Sequence, residues 1–316
     1  MKTKPVRLLP IHEFRNERTL LKNLKEHRAI LALDEVGRGC LAGPVMAGAS
    51  LWLEPSEHTA QVDPQGIQRL WIPLIRDSKK LTPKARDICF DGASQSFGEF
   101  RNNDVEEAVH SALSVPLLWN EMRPPSQVSI AFDTSGTLEE RIPASEKLKT
   151  PDSSFEHWHA PFVCAGVSLG AASAEEIDSI NIWNAVQLAM GRAVRSLFAK
   201  IPQNLRAFSE NPIVVVDGNH GIKVARELLG GRQVTAVGGD DAFASIGLSS
   251  VMAKVTRDRH MAELARQFPQ YALEKHKGYA TAEHRKLIQQ HGPSSIHRRS
   301  FLGSILAGEN LPELES

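Results

Sequence analysis

The chain has 316 residues, of which 41% are hydrophobic and 23% charged, as in ordinary globular proteins with a sizeable core. The 37 basic and 37 acidic side chains cancel, so overall charge does not indicate a polyanionic partner, and any such partner must be recognised through local charge. Three cysteines without metal-ligand spacing exclude a disulfide framework and favour a reducing compartment. We find no signal-peptide core and no run long enough to span a membrane, and therefore expect a cytoplasmic protein with no membrane partner.

The first half of the chain predicts a hairpin followed by a helix and an insertion. Residues 1–28 are charged and are expected to form an N-terminal extension with one short helix. Buried strands are predicted over RAILALDEV (28–36) and GPVMAGASLWL (43–53), close enough to form a hairpin. Thr82 before Pro83 predicts a helix start. Residues 100–160 include stretches rich in Pro, Ser, Thr and charge, and we expect a flexible insertion there.

The second half alternates strands with helices. Strands are predicted over PFVCAGVSLG (161–170), NPIVVVDGN (211–219) and the apolar part of RQVTAVGGDD (232–241). Ser173 and Glu176 form a capping-box pattern, and the helix that follows is expected to break near Asn181. Residues 241–268 predict one long helix, and another is expected to start near Thr281. The pattern indicates an α/β fold with a mixed central sheet flanked by helices.

Three of these strands end in acidic residues, namely Asp34-Glu35, Asp217 and Asp240-Asp241. Strand ends in open α/β sheets converge on one crevice, where clustered carboxylates would repel each other unless a cation neutralised them. Oxygen ligands suit Mg²⁺ or Mn²⁺, and a pair of such ions about 3.5–4 Å apart promotes phosphodiester hydrolysis. The alternative is that each acid only forms a turn or caps a helix. Asp34 and Glu35 also point to opposite faces of a regular strand, unless the chain bends near Gly37.

The stretch DEVGRGCLAGPVMAG (34–48) resembles the DEAGRGPLAGPVVAA signature of the ribonuclease HII family. Further blocks resemble the same family in the same order, and together they span residues 29–301: DSKKLTPKAR (77–86), SAEEIDSINIWNAVQLAM (173–190), VVVDGN (214–219), SSVMAKVTRDRHM (249–261), HKGYATAEH (276–284) and GPSSIHRRSF (292–301). The resemblance implies an RNase H-like fold with a catalytic domain over 29–301. It also implies a helical C-terminal part over about 260–301 that holds substrate, and a tail over 302–316.

The resemblance also implies an activity and the residues that carry it. The family cleaves the RNA strand of RNA–DNA hybrids and incises 5′ to single ribonucleotides embedded in duplex DNA, leaving 3′-hydroxyl and 5′-phosphate ends. Such enzymes remove ribonucleotides and RNA primers from DNA during replication and repair. By resemblance, two Mg²⁺ or Mn²⁺ ions are held by four catalytic carboxylates: Asp34, Glu35, Asp217 and Asp240. The residues expected to contact substrate are Gly37, Arg38, Gly39 and Tyr279, with Lys79 and Lys80 as further candidates.

Tyr279 is expected to stack on the sugar and to hydrogen-bond the 2′-hydroxyl, which is the group that distinguishes RNA from DNA at a site. Where the family usually has Lys-Gly-Asp, this chain has Gly238-Gly239-Asp240, and Asp241 is an alternative for the fourth carboxylate. Residues 254–299 hold ten Lys and Arg against four acidic residues, a local excess suited to backbone phosphates.

The expected partners are RNA–DNA hybrids and ribonucleotide-containing duplex DNA, bound by a monomer. Residues 305–316, ILAGENLPELES, lack the pattern of a sliding-clamp peptide. Two alternatives stay open at this point. One is an RNase H-fold nuclease that acts on DNA alone, and the other is a non-catalytic protein that binds RNA–DNA hybrids.

Overall fold

The computed structural model describes residues 14–24, 27–54, 56, 59, 62–63, 68–75, 78–97, 105–114, 130–132, 162–223, 228 and 231–307. The strands are β1 (Ala29–Val36), β2 (Val45–Leu53), β3 (Ile130–Phe132), β4 (Val163–Ala172), β5 (Ile213–Asp217) and β6 (Gln233–Ala236). The helices are α1 (Arg15–Asn23), α2 (Gln68–Trp71), α3 (Pro83–Phe97), α4 (Val105–Ser114), α5 (Ala174–Ile180), α6 (Ile182–Lys200), α7 (Gln203–Ser209), α8 (Gly239–Ala242), α9 (Ala244–Gln267), α10 (Leu273–His276), α11 (Ala282–His291) and α12 (Gly303–Leu306). Short 3-10 helices lie at Ile72–Leu74, Pro269–Tyr271 and Arg299–Phe301.

The six strands form one mixed sheet in the order β3-β6-β5-β1-β2-β4. Strand β1 pairs antiparallel with β2, which pairs antiparallel with β4. On its other side β1 pairs parallel with β5, and β5 and β3 both pair parallel with β6. The predicted hairpin and the predicted mixed sheet are therefore confirmed. Because β1, β5 and β6 run in one direction, their carboxyl ends meet at the same edge of the sheet.

Helices cover both faces of the sheet because the central strands are apolar on both sides. Ile30 and Ala32 of β1 belong to a core with α3, α4 and α9, whereas Leu31 and Leu33 belong to a core with α6. This alternation follows from the two-residue period of a strand. At Gly48 the sheet and α9 are so close that a Cβ atom would lie 2.1 Å from the Ser249 carbonyl oxygen. The close approach brings α9 beside the end of β1, where Asp34 pairs with Gly48 across the hairpin.

The C-terminal part has a separate apolar cluster that includes the loop after β1. Met261, Tyr271, Leu273 and Ile288 are buried there together with Leu41, which comes from that loop. Backbone bridges from Cys40 to Tyr279 and from Ala42 to His297 join the same loop to the C-terminal part. The segment with the Gly-Arg-Gly motif is therefore held between the sheet and the C-terminal helices.

Several helix starts follow the local signals in the sequence. Thr82 caps α3 by accepting a hydrogen bond from the Ala85 amide (3.2 Å), and Ser173 and Glu176 form the predicted capping box on α5. The predicted break at Asn181 separates α5 from α6, with φ of 67° at that residue. Thr281 caps α11 as expected. None of the helices in the described part of the chain has the length and apolar character needed to cross a membrane.

The described part of the N-terminal extension forms the expected short helix and packs against the main core. Phe14, Leu20 and Leu21 are buried in the main core, where Phe14 contacts the Trp52 ring at a centroid distance of 5.0 Å. Glu17 of α1 is also buried and accepts hydrogen bonds from the amide and hydroxyl of Ser245 at the start of α9. Charge along the segment concealed this apolar face, which packs only once the tertiary structure has formed. A domain boundary at residue 29 therefore does not coincide with a break in packing.

The expected insertion over 100–160 also contains regular structure. Helix α4 places Val109 and Ala112 in the main core, and β3 extends the sheet by pairing with β6. The polar and proline-rich neighbours of these two short elements masked them in the sequence. Residues 115–129 and 133–161 lie outside the described residues, as do 1–13 and 308–316, so the expected flexibility, the outer part of the extension and most of the tail stay predictions.

Candidate active site

The acidic residues meet at one edge of the sheet because neighbouring strands end at the same level. Leu33 of β1 is paired with Val216 of β5, so the next residues, Asp34 and Asp217, stand side by side. Asp217 is in turn paired with Ala236 at the end of β6, and the turn into α8 follows with Asp240. Strand register alone thus brings carboxylates from three chain segments together.

Electrostatics confirms that these carboxylates are close neighbours. Burial first, and then the charges of Asp217, Glu35 and Asp240, raise the pKa of Asp34 well above its usual value. Burial likewise raises the pKa of Glu35 and of Asp217, although a hydrogen bond from the Gly239 amide (2.7 Å) favours the charged form of Asp217. Buried like charges disfavour each other's ionisation, so this arrangement gains stability from a bound cation.

Asp34 and Glu35 lie on opposite faces of β1, as a regular strand requires. The strand does not bend before Glu35, because its pairing with β2 continues through Glu35 to Val36. Asp34 is buried on the α9 side, whereas the Glu35 side chain is 18% exposed and its carboxylate lies 3.5 Å from Nη1 of Arg38. Asp217 nevertheless raises the pKa of both acids. The register places Asp217 on the same face as Asp34, because the preceding residues Leu33 and Val216 are paired, whereas Glu35 belongs to the other face of β1.

The structure separates Asp240 from Asp241, which the sequence could not do. Asp240 raises the pKa of Asp34, and its backbone amide donates to Asp217. Asp241 points elsewhere and pairs with Lys80, whose Nζ lies 2.6 Å from its carboxylate, with both side chains more than half exposed. Lys79 lies near enough to the acids for its charge to lower the pKa of Asp217. The two adjacent lysines therefore act on different acids: Lys79 on Asp217 and Lys80 on Asp241.

The donor set fits a hard divalent cation. Carboxylate oxygens are the ligands that Mg²⁺ and Mn²⁺ prefer, and a cation would favour the charged form of Asp34, whose pKa is raised by burial and by the neighbouring carboxylates. Among the described residues, no three His, Cys, Asp or Glu side chains are already gathered at ligand distance from a common point.

The Gly-Arg-Gly loop lies next to the acids and has one strained position. Gly37 has φ of +86°, and a Cβ atom there would lie 2.2 Å from Nε of Arg257. Gly39 is exposed, and a Cβ atom there would meet nothing within 4 Å. Arg38 is exposed between them, so its guanidinium reaches solvent beside Glu35. Only glycine fits at position 37, whereas position 39 leaves open space against the protein surface.

Two buried arginines hold this loop, and sequence reasoning missed their role. Arg257 donates to the carbonyl oxygens of Pro44 (3.0 Å), Lys277 (3.0 Å) and Ala42 (3.1 Å). Arg298 donates to the carbonyl oxygens of Gly43 and Arg38, both at 3.0 Å. Both side chains are fully buried, and burial lowers the pKa of Arg298 to about 9. The sequence analysis had counted both among the phosphate-binding charges.

The basic surface is correspondingly smaller than the residue count over 254–299 indicated. Besides the two buried arginines, four cations pair with acidic side chains: Lys254 with Asp258, Arg259 with Asp87, Arg266 with Glu263 and Lys275 with Glu283. Lys277, Arg285, Lys286 and Arg299 are at least partly exposed in the same region. The formal charge excess therefore overstates the positive charge that this region offers to phosphates.

Tyr279 lies directly against the Gly-Arg-Gly loop. Its backbone bridges to Cys40, and Lys254 and Arg257 lie 5.8 and 5.9 Å from its ring centroid. Burial raises the pKa of Tyr279, so its hydroxyl keeps its proton at neutral pH and can donate a hydrogen bond. The structure therefore places Tyr279 beside the loop predicted to share its function.

Comparison with known proteins relates the chain to one family. A family model described as ribonuclease HII matches residues 164–303. The ribonuclease HII of Synechococcus sp. (strain CC9902) is 33% identical over 288 residues, which cover 91% of this chain and 99% of that protein. The ribonuclease HII of Fusobacterium nucleatum subsp. nucleatum is 32% identical over 285 residues, 90% of each chain. The crystal structure of ribonuclease H2 from Pyrococcus horikoshii OT3 aligns over 89% of this chain and 98% of that one, with 16% identity and a TM-score of 0.45.

The two ribonuclease HII relatives match this chain over nearly its whole length at more than 30% identity. The resemblance identified in the sequence and the expected RNase H-like fold are thereby confirmed. The chain belongs to the ribonuclease HII family and is a metal-dependent endoribonuclease of the ribonuclease H type.

Proposed function

We propose that the protein cleaves the RNA strand of RNA–DNA hybrids and incises 5′ to single ribonucleotides in duplex DNA, leaving 3′-hydroxyl and 5′-phosphate ends. We assign metal binding to Asp34, Glu35, Asp217 and Asp240. The observation that carries this proposal is the strand register that sets Asp34 and Asp217 side by side with the start of α8, where burial raises the pKa of both carboxyl groups. Such a site is costly without a cation and suited to two of them.

Two Mg²⁺ or Mn²⁺ ions, when bound, supply an activated water and stabilise the leaving 3′-oxygen. The four carboxylates hold and orient that charge, and the Gly239 amide fixes the Asp217 carboxylate through its 2.7 Å hydrogen bond. Lys79 contributes a positive charge beside Asp217, at a site where the chain has Gly238 in place of the family's usual lysine. The protein side chains then need little acid–base chemistry of their own.

Substrate selection is assigned to the loop and its neighbour. Gly39 leaves space for close approach of the sugar–phosphate backbone, and exposed Arg38 is placed to pair with a phosphate. The protonated hydroxyl of Tyr279 is suited to hydrogen-bond the ribose 2′-hydroxyl while its ring stacks on the sugar. Gly37 shapes the loop, and Lys80 is assigned a weaker phosphate contact. In this proposal residues 29–301 form the catalytic unit of a cytoplasmic monomer that removes ribonucleotides and RNA primers from DNA.

The decisive experiment is cleavage mapping on three labelled duplexes of one sequence: an all-DNA duplex, one with a single ribonucleotide and one with a long RNA strand. Each is incubated with Mg²⁺, with Mn²⁺ and with a chelator. We expect metal-dependent cuts in the last two duplexes, with a single cut 5′ to the lone ribonucleotide. Cleavage of the all-DNA duplex would favour a DNA nuclease, and binding to the hybrid without cleavage would favour a non-catalytic module.

A further inference from the structure

Three buried histidines, His276, His284 and His297, form a cluster next to the Tyr279 backbone. His276 and His284 are stacked with ring centroids 4.2 Å apart, and His284 and His297 are 5.4 Å apart. Tyr271 closes the group, with its ring 4.5 Å from that of His297 in an edge-to-face arrangement. All three histidines are at least nine-tenths buried. Buried imidazoles in this number need a specific set of hydrogen bonds, since each carries a donor and an acceptor.

The tautomer of His297 follows from Ser294. The backbone amide of Ser294 can only donate, and it lies 3.1 Å from Nδ1 of His297. The Ser294 hydroxyl, which can donate or accept, lies 3.0 Å from the same nitrogen and donates to it in this arrangement. This nitrogen therefore accepts, and the proton of the neutral ring is on Nε2. That Nε2 lies 3.3 Å from Nε2 of His284, so His297 donates and His284 accepts.

The tautomer of His284 follows independently from Tyr279. Nδ1 of His284 lies 2.9 Å from the backbone carbonyl oxygen of Tyr279, which can only accept, so the proton of His284 is on Nδ1. This leaves Nε2 as the acceptor that His297 requires. The two derivations therefore give the same proton arrangement, in which a series of hydrogen bonds runs from Ser294 through His297 and His284 to Tyr279.

A positive charge on His284 would break this chain, because two N–H groups would then face each other at 3.3 Å. Burial lowers the pKa of His284 to about 3 and that of His297 to about 4, so both rings are neutral at physiological pH. His276 is fixed in the same way: its Nδ1 accepts from the Gly278 amide and its Nε2 donates to the Tyr271 carbonyl. Histidine side chains therefore hold the Tyr279 carbonyl and, one residue earlier, the Gly278 amide.

We propose that His284 is a positioning residue: it holds the Tyr279 backbone so that the tyrosine side chain meets the ribose. His297 fixes His284 in the Nδ1–H tautomer that this hydrogen bond requires. The inference rests on the proposed contact between Tyr279 and the 2′-hydroxyl. The Tyr279 carbonyl also accepts from the Thr281 amide (2.9 Å), so His284 supplies its second hydrogen bond and ties it to α11. Loss of that bond leaves the chain folded but lets the tyrosine shift relative to the loop at Cys40.

Two variants separate positioning from stability. In His284→Asn the side-chain amide lies near the former Nδ1 and can still donate to Tyr279, whereas in His284→Gln it reaches toward His297 and loses Tyr279. Each variant loses one of two hydrogen bonds, so we expect similar melting temperatures. For the single-ribonucleotide duplex we expect kcat to fall about 10-fold in His284→Gln and less than about threefold in His284→Asn. KM should stay within about twofold, since phosphate contacts dominate affinity.

Tyr279→Phe, assayed beside them, distinguishes this inference from the proposed function. Unchanged cleavage by Tyr279→Phe would overturn the ribose contact and with it the inference. A Tyr279→Phe defect that His284→Gln does not share, or equal defects in the Gln and Asn variants, would overturn the inference alone. The unmodified protein gives a direct check: ¹H–¹⁵N correlation of the imidazoles at pH 7 should show His284 protonated on Nδ1 and His297 on Nε2. Either ring in the other tautomer or in the charged form contradicts the proposal.

Discussion

The acidic edge of the sheet and the loop beside it, residues 37–44, are adjacent but differ in the sign of their buried charges and in whether those charges already have hydrogen-bond partners. At the acidic edge, burial raises the pKa values of Asp34, Glu35 and Asp217, and the charges of neighbouring carboxylates raise those of Asp34 and Glu35 further. The loop is held by the buried cations Arg257 and Arg298, whose hydrogen bonds to carbonyl oxygens are already made. The acidic edge would therefore be stabilised by a positively charged ligand, whereas the loop already has its shape without a ligand.

This difference indicates a division of labour. A preformed loop keeps its shape whether or not a metal is present, so the proposed recognition of the sugar does not depend on the carboxylates. The acids, by contrast, gain stability only when cations are bound. We therefore expect substitutions in the two regions to have opposite effects on stability, and the predictions below test that contrast.

Asp34→Asn should produce the largest effect on activity and a gain in stability. Loss of one carboxylate from the metal set removes several kcal/mol of transition-state stabilisation, and we expect cleavage to fall about 1,000-fold or more. Hybrid binding should change little, because it depends on phosphate contacts. Without metal the variant should melt a few degrees (~2–4 °C) above the unmodified protein, since a buried, repelled charge is gone. Near-normal turnover, or a lower melting temperature, would contradict the assignment.

Asp240→Asn and Asp241→Asn form a matched pair at the end of β6. Asp240 raises the pKa of Asp34, whereas Asp241 pairs with Lys80 on the surface. We expect cleavage to fall about 100-fold or more in Asp240→Asn and to stay within about threefold in Asp241→Asn. Metal titrations followed by cleavage should show the same contrast. The reverse result would move the fourth carboxylate to Asp241.

Gly37→Ala and Gly39→Ala test the preformed loop. An alanine at position 37 meets Arg257 and takes up a strained φ, so we expect a loss of about 1–3 kcal/mol in the free energy of unfolding. Position 39 is open, and Gly39→Ala should keep its stability while substrate binding weakens. Chemical denaturation and hybrid-binding titrations distinguish the two. Equal stability of both variants would mean that the loop is not held as described.

Tyr279→Phe removes one hydroxyl and leaves the ring in place. A lost hydrogen bond is worth about 1 kcal/mol, so we expect kcat/KM on the single-ribonucleotide duplex to fall about 5- to 10-fold. The long hybrid should lose less, because neighbouring ribonucleotides offer further contacts, and overall affinity should hold. Competition between the two substrates in one reaction measures the ratio directly. The same loss on every substrate would contradict a role in sensing the 2′-hydroxyl.

The sequence predicted the acidic edge better than the loop and its supports. Asp34 and Asp217 end apolar strands, and Ser173 and Thr82 cap helices through contacts only three residues away, so local patterns were sufficient for these residues. Burial of Arg257 depends on contacts with residues more than 200 positions away, and a count of charges cannot distinguish a buried cation from an exposed one.

The same reasoning explains the other differences. Helix α1 was predicted as a helix, but its packing in the main core depends on partners from β2 and α9. Helix α4 and strand β3 are short elements within a segment dominated by polar residues and prolines. The tautomers of the histidine group require distances to backbone atoms, which no spacing of residues along the chain supplies.

Lys80→Ala and Lys79→Ala should give the smallest effects and still separate the two regions. The pair of Lys80 with Asp241 is exposed, so its loss should change the free energy of unfolding by less than about 1 kcal/mol. Lys79 offsets the charge of Asp217, so Lys79→Ala should lower the melting temperature in the absence of metal, and added Mg²⁺ should restore most of the difference. If Lys80 contacts a phosphate, the salt dependence of hybrid binding should decrease by about one ion in Lys80→Ala. An unchanged salt dependence would mean that Lys80 contacts no phosphate and only pairs with Asp241. If added Mg²⁺ does not restore the melting temperature of Lys79→Ala, Lys79 does not act by offsetting the charge of the acidic edge.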